Sequence, residues 1–294
     1  MVRRVMSAVV WCGLAFLVVC SPLSAAPSKL SGNFAFLSGT GELYVMRADG
    51  SKVTKLDGLR PGARLSISPD GRRIAFGLNG LRIVNLDGSG LTTVPGTNEN
   101  DRSPDWSPDG RKFAFTHYTG SSYDVQTINL DGTQRSTLTS GTPQYTEEPD
   151  WSPDGRQVTF WGGSGGYQVY VVNTDGTGLR SLIADGNLNV HPSWAPDGAT
   201  IAFNRATPTA GVWDIFTMDT RGGDLRLVRE AANMPRWSPD GQRIAFWADS
   251  GTTSGFQIYV MAPDGSGIQA ANDPALGFEA TSPVWGCKSP CNRP

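Results

Sequence analysis

Few residues of this 294-residue sequence have the type and spacing that catalysis requires. The sequence contains two histidines, His117 and His191, and neither is accompanied by a nucleophile elbow that would present a serine on a strand-to-helix turn. Metal-dependent hydrolysis needs several histidines or carboxylates that converge on one ion, and two scattered histidines supply such a set poorly. The residue types therefore favour binding over catalysis, and we predict no catalytic residue, no metal ligand and no cofactor.

Charged and aromatic residues suited to binding are concentrated in four irregular segments, residues 98–102, 144–148, 187–191 and 276–279. Side chains of this mixture suit a protein, a peptide or a saccharide. The candidate contact residues are Asp101, Arg102, Tyr145, Glu147, Glu148, His191, Phe278 and Glu279. Two other interpretations stay open. One is a solvated rim without a ligand, and the other is a carbohydrate-active or other hydrolytic enzyme that uses Asp101, Glu147, Glu148 and Glu279.

These segments separate the copies of an internal repeat. A Ser-Pro-Asp-Gly tetrapeptide, or Ala-Pro-Asp-Gly in one copy, directly follows an isoleucine or a tryptophan five times, and a truncated sixth copy begins at Ser282. Successive copies are 39, 45, 43, 43 and 48 residues apart, counted between Ile67, Trp106, Trp151, Trp194, Trp237 and Trp285. Repeats of about 40 to 50 residues are typical of one four-stranded blade of a β-propeller.

Each repeat has the residue pattern of four short strands. Ser at the first position, Pro at the second and Gly at the fourth favour a tight turn between a first and a second strand. The second strand alternates large and small apolar residues, as in Ile74-Ala75-Phe76, and a third strand ends in an Asp-Gly turn, as at Asp87-Gly88. A short fourth strand follows. By this alignment His191 occupies the position that Ser103, Glu148, Met234 and Ser282 hold in other copies, at the mouth of a central channel.

The two incomplete units at the ends of the repeat array complement each other. Residues 34–57 offer a second, third and fourth strand, whereas residues 282–286 offer only a first strand. Pairing them completes one blade and closes the ring, which removes exposed strand edges. We therefore predict an all-β, six-bladed β-propeller of four-stranded antiparallel blades over residues 32–286, closed by the carboxyl-terminal inner strand.

The repeat resembles the propeller units of the TolB family, through Trp-Ser-Pro-Asp-Gly followed by Ile-Ala-Phe and then Ile-Tyr-Val-Met. The resemblance covers residues 32–286 and implies a WD40-like repeat propeller. TolB is the periplasmic component of the Tol–Pal envelope system and carries an α/β domain before its propeller, where this sequence has only the short linker 26–31. From the fold, the rim residues and the amino-terminal export signal described below, we expect a secreted or periplasmic, non-catalytic module that binds a protein or peptide of the cell envelope or extracellular space at the channel mouth.

The repeated residues themselves are interpreted as scaffold. One tryptophan at the same point of five of the six copies favours packing between blades over an aromatic ligand cage. The turn aspartates are expected to bind their own backbone, because a calcium loop of the Asp-x-Asp-x-Asp-Gly type is absent. A structural calcium ion in the channel is the minor alternative.

The amino terminus has the features of a secretory signal peptide over residues 1–25. Arg3 and Arg4 precede an apolar run at 5–19, and small residues follow, which favours cleavage after Ala25. Lipidation at Cys20 is the alternative. Residues 1–25 hold two arginines and no acid, so 23 basic against 27 acidic residues remain and the mature chain has a net charge of −4.

That charge argues against nucleic acid as a partner. Cys287 and Cys291 in the tail 287–294 are expected to form a disulfide in an oxidising compartment. The mature chain is expected to have no membrane span and to be monomeric.

Overall fold

The computed structural model describes residues 31–62, 64–251, 255–272 and 277–286. These residues form six four-stranded antiparallel sheets, and no helix occurs among them. The predicted signal peptide, lipidation site and disulfide all lie outside the described residues.

Each sheet is one blade, and its strands follow one another from the channel outward. Blade I contains β24 (Ala280–Gly286), β1 (Asn33–Ser38), β2 (Leu43–Arg47) and β3 (Thr54–Lys55). Blade II contains β4 (Leu65–Ile67), β5 (Arg73–Gly77), β6 (Leu81–Asn85) and β7 (Thr92–Thr93). Blade III contains β8 (Asp101–Trp106), β9 (Lys112–Tyr118), β10 (Tyr123–Asn129) and β11 (Ser136–Thr137).

The remaining blades repeat this order. Blade IV contains β12 (Tyr145–Trp151), β13 (Gln157–Gly163), β14 (Gln168–Asn173) and β15 (Arg180–Ser181). Blade V contains β16 (Asn189–Trp194), β17 (Thr200–Ala206), β18 (Trp213–Asp219) and β19 (Arg226–Arg229). Blade VI contains β20 (Asn233–Trp237), β21 (Ile244–Asp249), β22 (Phe256–Met261) and β23 (Gln269–Ala270).

The first strand of every blade contacts the first strands of both neighbouring blades, so six inner strands surround a central channel. The ring closes in blade I, where β24 pairs with β1 and Phe34 lies opposite Trp285. This confirms the predicted six-bladed propeller and its closure by the carboxyl-terminal strand.

The core consists of clusters that lie between adjacent blades. Phe34 and Phe36 of blade I pack with Ile258 and Val260 of blade VI, and all four are fully buried. Each such phenylalanine contributes about 1.5–3 kcal/mol relative to an exposed one. Trp106 is likewise buried between blade III and Leu81 of blade II, as the packing interpretation of the repeated tryptophans expected.

The Ser-Pro-Asp-Gly turns connect the first and second strands by one repeated set of hydrogen bonds. In blade III, Ser107 Oγ donates to Asp109 Oδ1 at 2.6 Å and accepts from the Lys112 amide at 2.9 Å. Gly110 adopts a φ of 71°, which is left-handed backbone that glycine tolerates. All five turns lie at the same end of the channel, which we call the turn face. The opposite end, where residues 98–102, 144–148 and 187–191 enter the inner strands, is the linker face.

Candidate functional site

One β-bulge recurs in five inner strands near the linker face. In β12 the pairing with β13 shifts between Glu147 and Asp150, so Glu148 and Pro149 together lie opposite one residue. Proline suits the bulge because it has no amide hydrogen that would be left without a partner in the neighbouring strand. The residue before each proline has a φ of 50–56°, an uncommon conformation for a non-glycine residue. These residues are Ser103, Glu148, His191, Met234 and Ser282.

The bulges bring Glu148 and His191 together across the border between blades IV and V. His191 Nδ1 lies 2.6 Å from Glu148 Oε2, and Arg64 Nη1 donates to the Glu148 carbonyl oxygen at 2.9 Å. Arg64 holds the corresponding position in blade II, and its side chain crosses the channel to reach Glu148 in blade IV. Burial alone would raise the pKa of Glu148, but His191 and Arg64 outweigh it and lower the pKa to about 2.

A second charged layer lies deeper in the channel, one residue before the motif tryptophans. Asp150 accepts from Arg64 Nη2 at 2.7 Å and from the Trp194 amide at 2.8 Å. Asp105 accepts from Ser66 Oγ at 2.8 Å and from the Trp151 amide at 2.9 Å. Burial and the neighbouring Asp105 raise the pKa of Asp150 to about 6. Each carboxylate therefore links its own blade to the next one.

Arg236 completes this layer from blade VI. Its Nη1 donates to the carbonyl oxygens of Pro235, at 3.0 Å, and Pro192, at 3.4 Å. Burial and the nearby Arg64 charge lower the pKa of Arg236 to about 10. It thus remains a cation at neutral pH in a site that only partly compensates its charge.

Aromatic and charged side chains form a continuous patch on the linker face. The rings of Tyr118 and Tyr123 are 4.8 Å apart, and those of Tyr123 and Tyr145 are 5.0 Å apart. The Arg102 guanidinium lies 4.4 Å from the centre of the Tyr123 ring and hydrogen-bonds to Glu147. We call these five residues the tyrosine–arginine patch. Burial raises the pKa of Glu147 to about 7 despite the attraction of Arg102.

The eight sequence-predicted residues fall into four groups. Arg102, Tyr145 and Glu147 belong to the patch, whereas Glu148 and His191 form the adjacent pair in the channel mouth. Asp101 lies behind the patch with no exposed side-chain surface; His117 Nδ1 and Arg135 Nη2 each lie 2.7 Å from its Oδ1. It can therefore position neighbours but does not itself reach a partner.

Phe278 and Glu279 lie apart from the others, in the linker to β24. The Phe278 ring stacks on Tyr44 at 4.7 Å, and the Glu279 carbonyl oxygen accepts from the Gly39 amide at 3.0 Å. Among the described residues, neither forms a hydrogen bond or ring contact with the other six predicted residues.

Sequence reasoning missed Arg64, Asp105, Asp150 and Arg236 in the channel and Tyr118 and Tyr123 in the patch. Alignment of the repeat copies contained a signal for the first four. Arg64 stands three residues before Ile67, in the position of His191, and Arg236 stands directly before Trp237, where other copies have Asp, Ser or Val. The six equivalent positions of the repeat surround the channel, so charged residues there are expected to meet one another.

The channel chemistry suits ion pairing better than metal binding. The guanidinium groups of Arg64 and Arg236 lie among the channel carboxylates and act on their pKa values. Over the described part of the chain, no group of three or more histidine, cysteine, aspartate or glutamate side chains could hold a metal ion.

Comparison with known proteins decides the family. A family model described as the TolB β-propeller domain matches residues 78–287. The chain belongs to this family. No curated protein sequence matches it significantly. Within the described segments there is no helix of the length and apolar character that a bilayer crossing requires.

Solved structures show the same fold as this TolB-like propeller at low sequence identity. TolB from Acinetobacter baumannii has a TM-score of 0.73 and 19% identity, over 90% of this chain and 68% of that one. A putative TolB from Agrobacterium tumefaciens has a TM-score of 0.65 and 17% identity, over 87% and 99%. An oligogalacturonate lyase in complex with manganese has a TM-score of 0.56 and 16% identity, over 79% and 70%.

Proposed function

We propose that this TolB-like propeller is a non-catalytic module that binds a protein or peptide partner at its linker face. The observation that carries the proposal is the tyrosine–arginine patch. Tyr118 and Tyr145 are 36% and 43% exposed, although both rings contact that of Tyr123. Tyrosine and arginine are enriched among the residues that dominate binding energy at protein interfaces.

Contacts between its members preorganise the patch, which supports recognition. Tyr123 lies between the other two rings, and Arg102 is fixed by Glu147 on one side and the Tyr123 ring on the other. Preorganised side chains lose little conformational entropy on binding, so more of the contact energy appears as affinity. A partner with backbone carbonyls and apolar side chains would find both hydrogen-bond donors and ring faces here.

The proposed place of action is the periplasm or the extracellular space. The signal-peptide pattern of residues 1–25 and the membership of the TolB propeller family support export. Partners would then be proteins or peptides of the envelope or of the surroundings, met by a monomeric propeller.

A capture experiment with paired variants tests the proposal. Tagged full-length protein is produced in its own host, crosslinked briefly and purified. We expect a discrete partner that is lost when Tyr118 and Tyr145 are both changed to Ser. Leu225 and Leu227, which are 40% and 49% exposed on the outer side of blade V, supply the matched control when changed to Ser. Equal capture by all three proteins would contradict the proposal.

A hydrolytic or lyase activity on saccharides is the second candidate. Its supporting observation is the neighbouring pair of carboxylates with divergent pKa values, Glu147 at about 7 and Glu148 at about 2, beside His191. A group with a pKa near 7 can act as a general acid or base, and a solved lyase shares the fold. Turnover of a panel of neutral and acidic oligosaccharides that disappears in Glu147→Gln would establish this activity.

A further inference from the structure

A cavity of about 260 Å³ opens on the turn face, at the opposite end of the channel from the proposed partner surface. Its walls are the motif tryptophans and the turn prolines, and its floor contains Arg64, Asp105, Asp150 and Arg236. The volume lies just below the range of about 300–1,000 Å³ that is usual for sites of drug-sized ligands. A smaller molecule with an apolar body fits these dimensions and walls.

The floor groups differ in how many of their hydrogen bonds are already made. Both oxygens of Asp105 and both oxygens of Asp150 accept hydrogen bonds from fixed donors of the propeller. Arg236 uses only Nη1, toward two proline carbonyl oxygens. Among the described residues its Nε and Nη2 have no hydrogen-bond partner. Within the described part of the chain, Arg236 therefore has two nitrogens left for a ligand, and Arg64 has one, its buried Nε.

Arg236 is the point of the floor at which an anion could bind. Arg64 and Arg236 lie close enough that their repulsion, together with burial, lowers the pKa of Arg236. Arg64 is paired with Asp150 and with the Glu148 carbonyl oxygen, but Arg236 has no carboxylate in hydrogen-bond contact within the described part of the chain. A ligand carboxylate on Nε and Nη2 would form the two-bond arrangement that guanidinium groups prefer.

We propose that this turn-side cavity binds a small carboxylate with an apolar or aromatic body, its carboxylate on Arg236 and its body against the indole and proline wall. The proline and indole faces supply contact area for the body. Indole faces pack favourably with aromatic rings, beyond the area that they bury. The site opens at the end of the channel opposite the linker face, while Arg64 in its floor also donates to the Glu148 carbonyl oxygen.

The test uses the intrinsic fluorescence of the tryptophans that line the cavity. Full-length mature protein is titrated with phenylacetate and, separately, with phenylacetamide, which has the same ring and no charge. We expect saturable binding of phenylacetate at least ten-fold tighter than that of phenylacetamide. The peptide Gly-Gly-Phe distinguishes the source of the carboxylate: tighter binding than phenylacetate indicates a peptide carboxyl end, and weaker binding indicates a free acid.

Variants assign the effect to Arg236. Arg236→Met is expected to weaken phenylacetate binding at least ten-fold, whereas Arg236→Lys, which keeps the charge, is expected to retain part of the affinity. Arg111→Met removes an exposed arginine from the same face and should leave binding unchanged. Melting temperatures verify that each variant is folded. Equal affinities for phenylacetate and phenylacetamide, or no saturable binding of either, would overturn the proposal, and this comparison needs no variant.

Discussion

The two ends of the channel are built from the same repeat but use it in opposite ways. On the turn face, Ser68, Ser107, Ser152 and Ser238 each donate to the aspartate two residues later at 2.5–2.7 Å. On the linker face, the five bulge positions with left-handed backbone hold two serines, a glutamate, a histidine and a methionine. Uniform contacts at one end fix the blades, and varied side chains at the other end are free to make a site.

Blade V shows that the uniform end tolerates an omission. Ala195 replaces the turn serine there, yet the Ala199 amide still donates to Asp197 Oδ1 at 2.8 Å and Gly198 still closes the turn. The equivalent variation at the linker end changes the chemistry altogether, because Glu148, His191 and Met234 differ in charge. Repeat positions at the turn end of the inner strands are therefore structural, whereas those at the linker end can differ in chemistry from blade to blade.

The largest expected effect comes from the charged layer between the two ends. Asp150→Ala leaves Arg64 without its 2.7 Å partner and the Trp194 amide without an acceptor. Loss of one member of a buried ion pair is expected to lower the free energy of unfolding by about 3–5 kcal/mol. Asp154→Ala, in the turn of the same blade, removes the hydrogen bonds of an exposed carboxylate and should lower the free energy of unfolding by about 1 kcal/mol. If denaturant titrations gave equal losses of unfolding free energy for the two variants, the charged layer would not stabilise the fold more than the turn does.

The linker face should carry the partner affinity. Once a partner is identified, Tyr145→Ala is expected to weaken its binding by about 2 kcal/mol, roughly 30-fold, as for a central interface tyrosine. Leu227→Ala, at a side chain that is 49% exposed, should change the affinity less than two-fold. Calorimetric titration measures both, and a comparable loss in the leucine variant would mean that the patch is not the contact surface.

Adjacent glutamates of the linker face should respond to pH in opposite ways. Glu147 has a pKa raised by burial to about 7, so the native state retains a proton that the unfolded state releases between about pH 4.5 and pH 7. Its contribution to stability is therefore lost as the pH rises through this window. Relative to the wild type, Glu147→Gln should become more stable between pH 5 and pH 8 by about 1–3 kcal/mol.

Glu148→Gln is the matched control for that experiment. The pKa of Glu148 is lowered to about 2, so its stabilising contribution is complete above about pH 4.5 and is lost only as the pH falls toward 2. The variant should be destabilised by a similar amount at pH 5 and at pH 8. A Glu147→Gln effect that does not vary over the same pH range would contradict the assignment.

The smallest effect is expected from restoring the missing turn serine. Ala195→Ser should allow Oγ to donate to Asp197 as its equivalents do in four other blades, and one hydrogen bond contributes about 0.5–1.5 kcal/mol. Thermal unfolding should shift upward by a few degrees at most. A decrease would show that the blade V turn differs from the others in more than its serine.

The fold could be predicted from the sequence because each blade is specified locally, by a turn motif and the alternating strand beside it. The closure of blade I followed from counting incomplete units, since one inner strand without a blade and one blade without an inner strand must pair. The position of Glu148 and His191 at the channel mouth followed from the same alignment. That these two side chains would bond to each other did not, because the contact depends on a bulge in each strand.

Contacts across the ring could not be predicted in this way. Arg64 and Asp150 are 86 residues apart and belong to blades II and IV, so no local pattern connects them. The copy that contains Arg64 also lacks the proline and tryptophan of its equivalents, having Leu65 and Ile67 instead, which hides its place in the alignment. The patch was found in part: Tyr145 lies in a linker, whereas Tyr118 and Tyr123 lie at strand ends in blade III.

Site-specific photocrosslinking from both ends of the channel tests the central claim most directly. A photoreactive amino acid is placed at Tyr145 on the linker face and, in a second protein, at the exposed Arg111 on the turn face, and both are irradiated in the native host. We predict one discrete adduct from position 145, abolished by Tyr118→Ser in the same chain, and none of that size from position 111. The same adduct from both positions, or from position 111 alone, would contradict the assignment of partner binding to the linker face.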